Sequence, residues 1–295
     1  VGGLNVDVHL HGVRSVEAEP TFTAQRVLVT AGGKGANAAR SAARLGARVT
    51  LVGKVGADVF GALAVDAAAR DGVDVDFVTE TSENGTGFAA IRLQDGQHRT
   101  VIWAPGANED LTWGEVMVAE GALQAADAIL VQAEVPAGVL RRLSSWSQDS
   151  GKDLYLDPVP PELVTPEALA AAVIVTPNRY EAEALAGDRV DSPESARRAA
   201  EMLLEAGAGR VGLKLDVDGT LLVTADGSWL IPTLAVEAVD ETGAGDVYLA
   251  ALAVRRGEGA SWEEAVRFAN AAAALSVADP GLSLPGWQEV EAALA

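Results

Sequence analysis

The residues best suited to chemistry lie in one turn, residues 239–248, which read VDETGAGDVY. Gly243, Ala244 and Gly245 have little or no side chain, so the backbone can approach a ligand closely and present free amides to it. The apolar run that follows has helical spacing, which predicts that these amides lie at a helix N-terminus. Such a terminus attracts anions, and a phosphate is the obvious candidate. A carboxylate beside a phosphate is repelled unless it accepts a proton, so Asp246 is a candidate general base.

A simpler alternative is that Asp246 is only an acidic residue in the first turn of a helix, behind a glycine turn. A dinucleotide fingerprint fits worse, because GxGxxG would need glycine where Tyr248 stands. A complete GxGxxG does occur at Gly207, Gly209 and Gly212, but it follows a helical pattern and precedes a strand pattern. We therefore interpret those glycines as the end of a helix.

A second glycine-rich turn, residues 31–35 (AGGKG), leads into an Ala-rich helical pattern that ends near Gly46. Lys34 does not belong to a P-loop, because the required glycine spacing before it and the Ser or Thr after it are both missing. Asn37 falls in the first turn of this predicted helix, where it could face the same ligand as Asp246.

The composition limits the possible partners. The formal net charge is -20 over 295 residues, which argues against nucleic acid and anionic membranes. A nucleotide must then be held locally by amides, a metal ion and a few cations. The absence of cysteine excludes disulfides, thiolate metal sites and thiol catalysis, and it is typical of the cytoplasm, which is the expected location. No apolar run is long enough to predict a membrane span.

The elements that must position these residues alternate between strand and helix along most of the chain. This alternation predicts one α/β domain, residues 1–295, in which helices cover both faces of a mainly parallel sheet. Ligands of such folds bind beyond the carboxyl ends of the strands. Asp7, Glu134 and Asn178 all follow predicted strand ends, and so does the loop before Asp246. Asn178 and Glu181 also have the spacing of a helix-capping pair, which is an equally good explanation for them.

Two β runs, GFAAIRL and HRTVIW, are joined by QDGQ, in which Asp95 and Gly96 are a strong hairpin signal. An inserted hairpin usually stands outside the main sheet. We predict that residues 85–107, together with the alternating segment at residues 8–30, form a small β-sheet lid over the site. Two copies of this lid could cover each other's exposed edges, which predicts a homodimer.

Three stretches together resemble the ribokinase (PfkB) family of sugar and nucleoside kinases: GGLNVD, AGGKGANAARSAARLG and DETGAGDVY. The resemblance covers essentially the whole chain, with QAEVP, LDPVP, TPNRYEAEAL and ANAAAALSV matching in the right order between them. It implies a three-layer α/β/α sandwich with a small lid, and an ATP-dependent, Mg²⁺-requiring kinase that phosphorylates a primary hydroxyl of a small sugar. GGKGAN and APGAN favour D-ribose as that sugar, and the alternatives are fructose, 2-keto-3-deoxygluconate or a nucleoside.

The resemblance also implies a role for individual residues of this chain. Those implied to line the sugar pocket are Asn5, Asp7, Gly33, Lys34, Asn37, Glu134 and the base Asp246. Those implied to form the anion hole for the γ-phosphate are Gly243, Ala244 and Gly245. Those implied to contact ATP are Asn178, Lys214, Gly243, Gly245 and Asn270. Glu181 would hold Mg²⁺ through water, and a potassium ion would lie beside Asp240, Thr242, Ser276 and Gly281.

The chain departs from the family in the loop that covers the nucleotide. Members often have Thr, Leu and Gly where this chain has Lys214, Leu215 and Asp216. Lys214 could meet a phosphate or merely end a strand. The alternative from another functional class is a catalytically silent sensor of sugar or nucleotide that kept the fold, and a Rossmann oxidoreductase is a more distant one.

Overall fold

The computed structural model describes residues 1–15, 22–94, 98–278 and 281–295. The strands in these ranges are β1 (Asn5–His11), β2 (Arg14–Ser15), β3 (Phe22–Thr23), β4 (Arg26–Gly32), β5 (Thr50–Gly56), β6 (Asp74–Thr81), β7 (Gly87–Gln94), β8 (His98–Ala104), β9 (Ala128–Gln132), β10 (Asp153–Asp157), β11 (Ala172–Val175), β12 (Val211–Lys214), β13 (Thr220–Thr224) and β14 (Gly227–Ile231). The helices are α1 (Lys34–Arg44), α2 (Val59–Arg70), α3 (Trp113–Val118), α4 (Glu120–Ala125), α5 (Ala137–Ser150), α6 (Pro166–Ala171), α7 (Arg179–Ala186), α8 (Pro193–Glu205), α9 (Ala244–Gly257), α10 (Trp262–Ser276) and α11 (Trp287–Leu294). Short 3₁₀ turns cover Gly106–Asp110, Pro161–Leu163 and Asp216–Asp218.

The main sheet has the described strand order β14-β13-β12-β11-β10-β9. The pairs β9–β10, β10–β11 and β11–β12 are parallel, whereas β13 and β14 are antiparallel additions at one edge. Each parallel pair is joined through one or two helices, as a crossover between parallel strands requires. The prediction of a mainly parallel sheet is therefore confirmed.

The first residues of the chain extend this sheet. The Val1 amino group donates to Leu130 O at 3.0 Å, and Gly2 N donates to Val52 O at 3.1 Å. Residues 1–4 therefore run between β9 and β5, and the parallel pair β5–β6 continues the layer beyond them.

A second sheet stands apart, with the strand order β4-β1-β7-β8. The strands β7 and β8 pair antiparallel, as the hairpin prediction requires, although Asp95 and Gly96 lie outside the described residues. Asp7 does not follow a strand end as expected: it lies within β1, because the chain leaves the main sheet after residue 4 and pairs at once with β4 and β7. The division into one domain with a lid at residues 8–30 and 85–107 stays a prediction.

Helices cover both faces of the main sheet because side chains of a strand point alternately to opposite sides. Leu154 and Leu156 of β10 pack in one core cluster with residues of α5 and α8. Tyr155, between them, packs in another cluster with residues of α9, α10 and α11. One layer of helices on each face of the sheet makes the predicted three-layer α/β/α sandwich, which is therefore confirmed.

The apolar pattern of residues 111–126 favours one continuous helix, but the structure has the two short helices α3 and α4 there. Thr112 and Glu115 form a capping box that starts α3 at Trp113. At Ala119 the amide donates to Val116 O, three residues back, and this tighter turn separates the two helices. The Thr-x-x-Glu spacing was a local signal for the start of α3.

The loop before Asp246 also differs from the prediction. Residues 232–243 have no strand structure, so this loop does not follow a strand end directly. It is held by the end of α10 instead, since the amides of Val239 and Asp240 both donate to Val277 O.

The interpretation of the GxGxxG sequence as a helix end is confirmed. Gly207 follows α8 with a φ of 108°, and its amide donates to Leu204 O at 2.9 Å. Among the described residues, no helix has the length and apolarity needed to cross a bilayer.

Candidate active site

The turn that precedes α9 is built around Gly243. This residue has a φ of 76°, in the left-handed region that favours glycine. A Cβ at Gly243 would also collide with the Cδ1 atom of Leu282. The turn therefore needs glycine for its backbone conformation, and a side chain there would also displace the Leu282 side chain.

The backbone amides of this turn lie where the sequence predicts an anion site. The first four amides of a helix have no acceptor within the helix, and the helix dipole gives them partial positive charge. Ala244 N donates to Glu241 O at 3.3 Å, a long bond, and the amides of Gly243 and Gly245 belong to the same turn. The arrangement is chemically suited to hold a phosphoryl group.

Asp246 is buried in the first turn of α9, with 2% of its surface exposed. Its Oδ2 atom accepts a hydrogen bond from Asn37 Nδ2 at 2.9 Å, and Lys34 Nζ lies 3.8 Å from Oδ1. Among the described residues, Asp246 Oδ1 and Asn37 Oδ1 have no hydrogen-bond partner. Burial raises the pKa of Asp246, and the charge of Lys34 offsets only part of that rise. A buried carboxyl group with a raised pKa and an unused oxygen can accept a proton from a bound alcohol.

The N-terminal end of α1 brings a second group of predicted residues to the same place. Gly33 immediately precedes the helix, and the amide of Lys34 donates to Glu134 Oε2 at 3.0 Å. Burial raises the pKa of Glu134 to about 7, although the charge of Lys34 acts against this. Lys34 thus joins two carboxyl groups, Glu134 through its amide and Asp246 through its ammonium.

Asn5 and Asp7 lie two residues apart in β1 and are both buried. Asn5 Oδ1 accepts from Asn108 Nδ2 at 2.8 Å. Asn108 also accepts from Leu4 N at 2.9 Å and donates to Pro105 O at 2.8 Å. Its amide therefore fixes the start of β1, and with it the orientation of Asn5.

Asn178 and Glu181 form the capping box of α7. The Glu181 amide donates to Asn178 Oδ1, and the two Glu181 carboxylate oxygens accept from Asn178 N and Nδ2, each at 2.8 Å. The local explanation of this pair is therefore confirmed. Glu181 is nevertheless buried, and burial raises its pKa despite the neighbouring charge of Lys214.

Lys214 ends β12, and its ammonium donates to Asp157 Oδ1 at 2.7 Å. Its Nζ atom lies 3.2 Å from the point where a Cβ on Gly245 would stand, which places it beside the predicted anion hole. Asp157 ends β10 and is 1% exposed.

The loop after Lys214 keeps a conformation in which glycine is usual. Asp216 has a φ of 54°, which costs a non-glycine residue about 1 kcal/mol or more. Arg179 contacts this turn, because its guanidinium lies 3.4 Å from Asp216 and 2.9 Å from Asp218.

The side-chain amide of Asn270, another predicted nucleotide contact, is engaged within the fold. It accepts from Thr220 Oγ1 at 2.7 Å and donates to Ile231 O at 2.9 Å and Pro232 O at 3.3 Å. These bonds join α10 to β13 and to the end of β14. Contact of Asn270 with ATP stays a prediction.

The predicted potassium residues lie in the loop that precedes the anion hole. Asp240 Oδ1 accepts from Thr242 N at 2.9 Å, and Asp240 Oδ2 accepts from Gly281 N at 3.0 Å. Ser276 is the last residue of α10, and its hydroxyl donates to Ala273 O. The structure thus connects Asp240, Thr242 and Gly281 directly, but no described hydrogen bond joins Ser276 to them.

The site also contains residues that the sequence did not single out. Asp157 directly ends a parallel strand, which is the signal that identified Glu134 and Asn178 and would have identified it too. Asn108 lies in a 3₁₀ turn, and no local pattern predicts its bond to Asn5, which is 103 residues away.

The carboxylates suit Mg²⁺ held through water and phosphate rather than in a protein cage. The described residues contain no cluster of three or more metal-ligating side chains. Mg²⁺ commonly keeps several waters and uses only one or two carboxylates together with substrate phosphates. Glu181 fits that pattern, because a carboxylate that accepts two bonds still has lone pairs for metal-bound water.

Comparison with known proteins finds similar sequences and structures over nearly the whole chain. The family model described as pfkB family carbohydrate kinase matches residues 1–289. The ribokinase of Haemophilus influenzae is 32% identical over 291 residues, which cover 98% of this chain and 95% of that protein. The structure of Arabidopsis thaliana ribokinase complexed with ribose and ATP matches with a TM-score of 0.89 and 29% identity, over 99% of this chain and 96% of the other. Thermotoga maritima ribokinase matches with a TM-score of 0.89 and 33% identity, over 99% and 97%. Sequence, fold and active-site turn agree, and the chain belongs to the pfkB family of carbohydrate kinases.

Proposed function

We propose that this protein transfers the terminal phosphoryl group of ATP to the primary hydroxyl of D-ribose, giving ribose 5-phosphate and ADP. The observation that carries the proposal is the unused, buried Oδ1 of Asp246 at the N-terminus of α9, beside the amides of residues 243–245. The similar proteins named ribokinase, one of them with ribose and ATP bound, support ribose as the sugar.

In the proposed reaction the hydroxyl oxygen of the sugar attacks the terminal phosphorus while the bond from that phosphorus to the ADP oxygen breaks. Asp246 takes the hydroxyl proton, and the bonding electron pair leaves with ADP. The amides of Gly243, Ala244 and Gly245 hold the phosphoryl oxygens. Phosphoryl transfer depends mainly on positioning and charge stabilisation, which this turn supplies without covalent chemistry.

The proposed sugar pocket uses buried polar groups that can pair with hydroxyls. Asn5, Asp7, Asn37 and Glu134 would accept or donate hydrogen bonds to the ring hydroxyls, and Lys34 would keep its ammonium close to Asp246. The second sheet would cover the sugar, because β1 carries Asn5 and Asp7 into it. Water excluded in this way cannot compete with the sugar hydroxyl for the phosphoryl group.

On the nucleotide side, Asn178 and Lys214 would contact the phosphates, and Glu181 would hold Mg²⁺ through water. The chemistry that Mg²⁺ would supply there is partial neutralisation of the phosphate charge. The fixed cations matter here because the chain as a whole carries a charge of -20.

The test is ADP release assayed with a panel of pentoses, hexoses and nucleosides, with Asp246→Asn as the blank. We expect ribose to have the highest kcat/KM. A higher value for fructose, 2-keto-3-deoxygluconate or a nucleoside would replace ribose as the substrate. Binding of ATP without turnover of any sugar would identify a silent sensor, an alternative that the geometry around Asp246 does not favour.

Glu134 predicts a pH-dependent affinity for the sugar. Its pKa is raised to about 7 by burial, so it gains a proton as the pH falls through 7 and then accepts hydroxyl hydrogen bonds less well. We expect the KM for ribose to rise as the pH is lowered from 8 to 6, by up to about tenfold per pH unit. The stability of the fold depends on pH in the opposite direction. Because the folded protein binds the Glu134 proton more tightly than the unfolded chain does, Glu134 stabilises the fold at low pH. This stabilisation is lost as the pH rises from the pKa of the unfolded state towards 7.

The variant Glu134→Gln should raise KM at pH 8 and flatten this dependence, whereas Glu167→Gln on the exposed face of α6 should leave the profile unchanged. An unchanged KM profile in Glu134→Gln would assign the titration to another group.

Asp240 and Thr242 motivate a prediction for monovalent cations. We expect potassium to raise kcat several-fold over a buffer free of sodium and potassium, because an ion beside Asp240 would order the loop that leads to Gly243. Asp240→Asn should abolish the response. Tetramethylammonium is the inert salt that keeps the ionic strength constant in this titration. If kcat of the unaltered protein does not change with potassium, the prediction of a cation site is wrong.

The second sheet predicts a homodimer. Its edge strands β4 and β8 carry exposed apolar side chains, among them Val27, Val29, Val101 and Ile102. A second copy could cover these side chains and both strand edges. Sedimentation at micromolar concentration should give twice the monomer mass, and Ile102→Lys should shift it towards monomer. A monomer throughout would contradict the prediction.

We also propose that the enzyme acts in the cytoplasm and has no nucleic-acid or membrane partner, because the chain is strongly acidic.

A further inference from the structure

Lys214 places a cation beside the predicted anion hole. Its ammonium has three protons to donate, and one of them goes to Asp157 Oδ1 at 2.7 Å. On the other side it lies 5.9 Å from the centre of the Tyr248 ring. The side chain is 16% exposed, so it is held in place yet still reachable by a ligand.

The partner carboxylate is fixed by the fold. Asp157 Oδ1 also accepts from Thr176 Oγ1 at 3.1 Å, and both residues are buried. Burying an ion pair costs desolvation energy that the attraction between the charges often does not recover, so stability alone is a weak reason for this pair. A role of Lys214 in binding a ligand is a better reason for the buried ion pair.

The position of the ammonium identifies its target. Nζ lies 3.2 Å from where a Cβ on Gly245 would stand, and the missing side chain is what leaves room for it. Gly245 immediately precedes Asp246, the proposed base. A phosphoryl group held on the amides of this turn and attacked by a hydroxyl at Asp246 is the terminal one of ATP, and its oxygens would lie within reach of Lys214.

We propose that Lys214 is a catalytic residue that binds the terminal phosphoryl group of ATP during transfer, and that Asp157 is a positioning residue that holds the Lys214 ammonium beside Gly245. This inference rests on the proposed kinase function. Lys214 transfers no proton in it: the sugar proton goes to Asp246, the electron pair leaves with ADP, and the ammonium neutralises charge on the phosphoryl oxygens.

The ammonium keeps its charge under working conditions. Burial alone would lower the pKa of Lys214, but the carboxylates of Asp157 and Glu181 outweigh this effect and raise it. A permanently charged donor fixed in advance beside the phosphoryl oxygens needs no reorganisation during the reaction, which is the usual source of electrostatic catalysis.

The inference is tested by comparing a triphosphate with a diphosphate. Binding of the Mg²⁺ complexes of AMP-PNP and of ADP is measured by calorimetry without sugar, for the unaltered protein and for Lys214→Met. We expect Lys214→Met to weaken AMP-PNP binding by about 10- to 100-fold, the worth of a charge-assisted hydrogen bond, and to change ADP binding by no more than about twofold. It should lower kcat with ribose by about 10²-fold. Equal weakening of both nucleotides, or no weakening, would overturn the assignment to the terminal phosphoryl group.

Asp157→Asn tests the positioning role. It should weaken AMP-PNP more than ADP, by a smaller factor than Lys214→Met, and a change in melting temperature without that selectivity would overturn the role. Lys152→Met is the matched control. Lys152 immediately precedes β10, at the opposite end of that strand from Asp157, and its ammonium donates to Ala126 O. It should leave the ratio of the two affinities unchanged.

The double variant Asp157→Asn/Lys214→Met protects the test against misfolding, since Lys214→Met alone leaves a buried carboxylate unpaired. The double variant should melt at a higher temperature than Lys214→Met. Relative to the unaltered protein, it should still lose affinity for AMP-PNP while its affinity for ADP stays nearly unchanged. Recovery of kcat in the double variant would show that Lys214 is not needed. If the unaltered protein phosphorylates no sugar, the proposed function itself fails, which is a separate result from normal turnover that ignores Lys214.

Discussion

Asp246→Asn is expected to lower kcat by at least about 10²-fold, with only a modest change in the KM for ribose. The amide has nearly the same shape as the carboxylate and can still pair with Asn37 and fit beside Lys34, so binding should persist. It cannot accept the hydroxyl proton, so the loss falls on the chemical step. Initial rates of ADP release at saturating ATP, over a range of ribose concentrations, separate the two parameters.

The control for this variant is Asp66→Asn, on the exposed face of α2, where the carboxylate pairs only loosely with Arg70 at 3.6 Å. That variant should retain full activity. Retained turnover in Asp246→Asn would remove Asp246 from the role of base, and an equal rise in KM with unchanged kcat would make it a binding residue instead.

Asn108→Ala is expected to destabilise the protein by about 3 kcal/mol. Asn108 is 2% exposed, and its amide accepts from Leu4 N and donates to Asn5 Oδ1, Pro105 O and Leu4 O. Alanine leaves these buried groups without partners and also leaves a cavity. Because Asn5 loses the donor that orients it, the KM for ribose should rise as well, by about tenfold.

Urea unfolding followed by tryptophan fluorescence measures the first effect, and the ribose titration measures the second. Asn84→Ala is the matched control. Asn84 is exposed, and among the described residues its side-chain amide donates only to the Asp110 carboxylate. A loss of less than about 1 kcal/mol in Asn108→Ala would mean that water replaces the missing partners. Normal KM in a destabilised variant would separate folding from sugar binding.

Local sequence signals predicted the parts of the site that local chemistry builds. The turn at Gly243 follows from small residues before a helical pattern, and the capping box of Asn178 and Glu181 follows from its spacing. The mainly parallel sheet with helices on both faces was predicted correctly from the alternation of strands and helices. The family was predicted correctly from the resemblance of three motif stretches, GGLNVD, AGGKGANAARSAARLG and DETGAGDVY.

Predictions failed where a contact with a distant element decides the local structure. No strand leads directly into the turn at Gly243, because the end of α10 binds the amides of Val239 and Asp240 there. Asp7 lies inside β1 rather than after it, because β4 and β7 supply pairing partners as soon as the chain leaves the main sheet. The break at Ala119 divides a helix that its apolar pattern alone would continue.

The sequence by itself determined the fold class, the helix N-terminus that presents Gly243–Asp246 and the chemical types available there, because these depend on residues that are close along the chain. The tertiary structure alone decided which side chains meet. Asn37 reaches Asp246 across 209 residues, and Lys214 reaches Asp157 across 57. No local pattern encodes such pairs. Lys214 and Asp157 meet because the parallel strands β12 and β10 bring their carboxyl ends to one edge of the sheet. Asn37 and Asp246 meet because α1 packs against α9. Burial has the same origin, and burial is what raises the pKa of Asp246 and of Glu134.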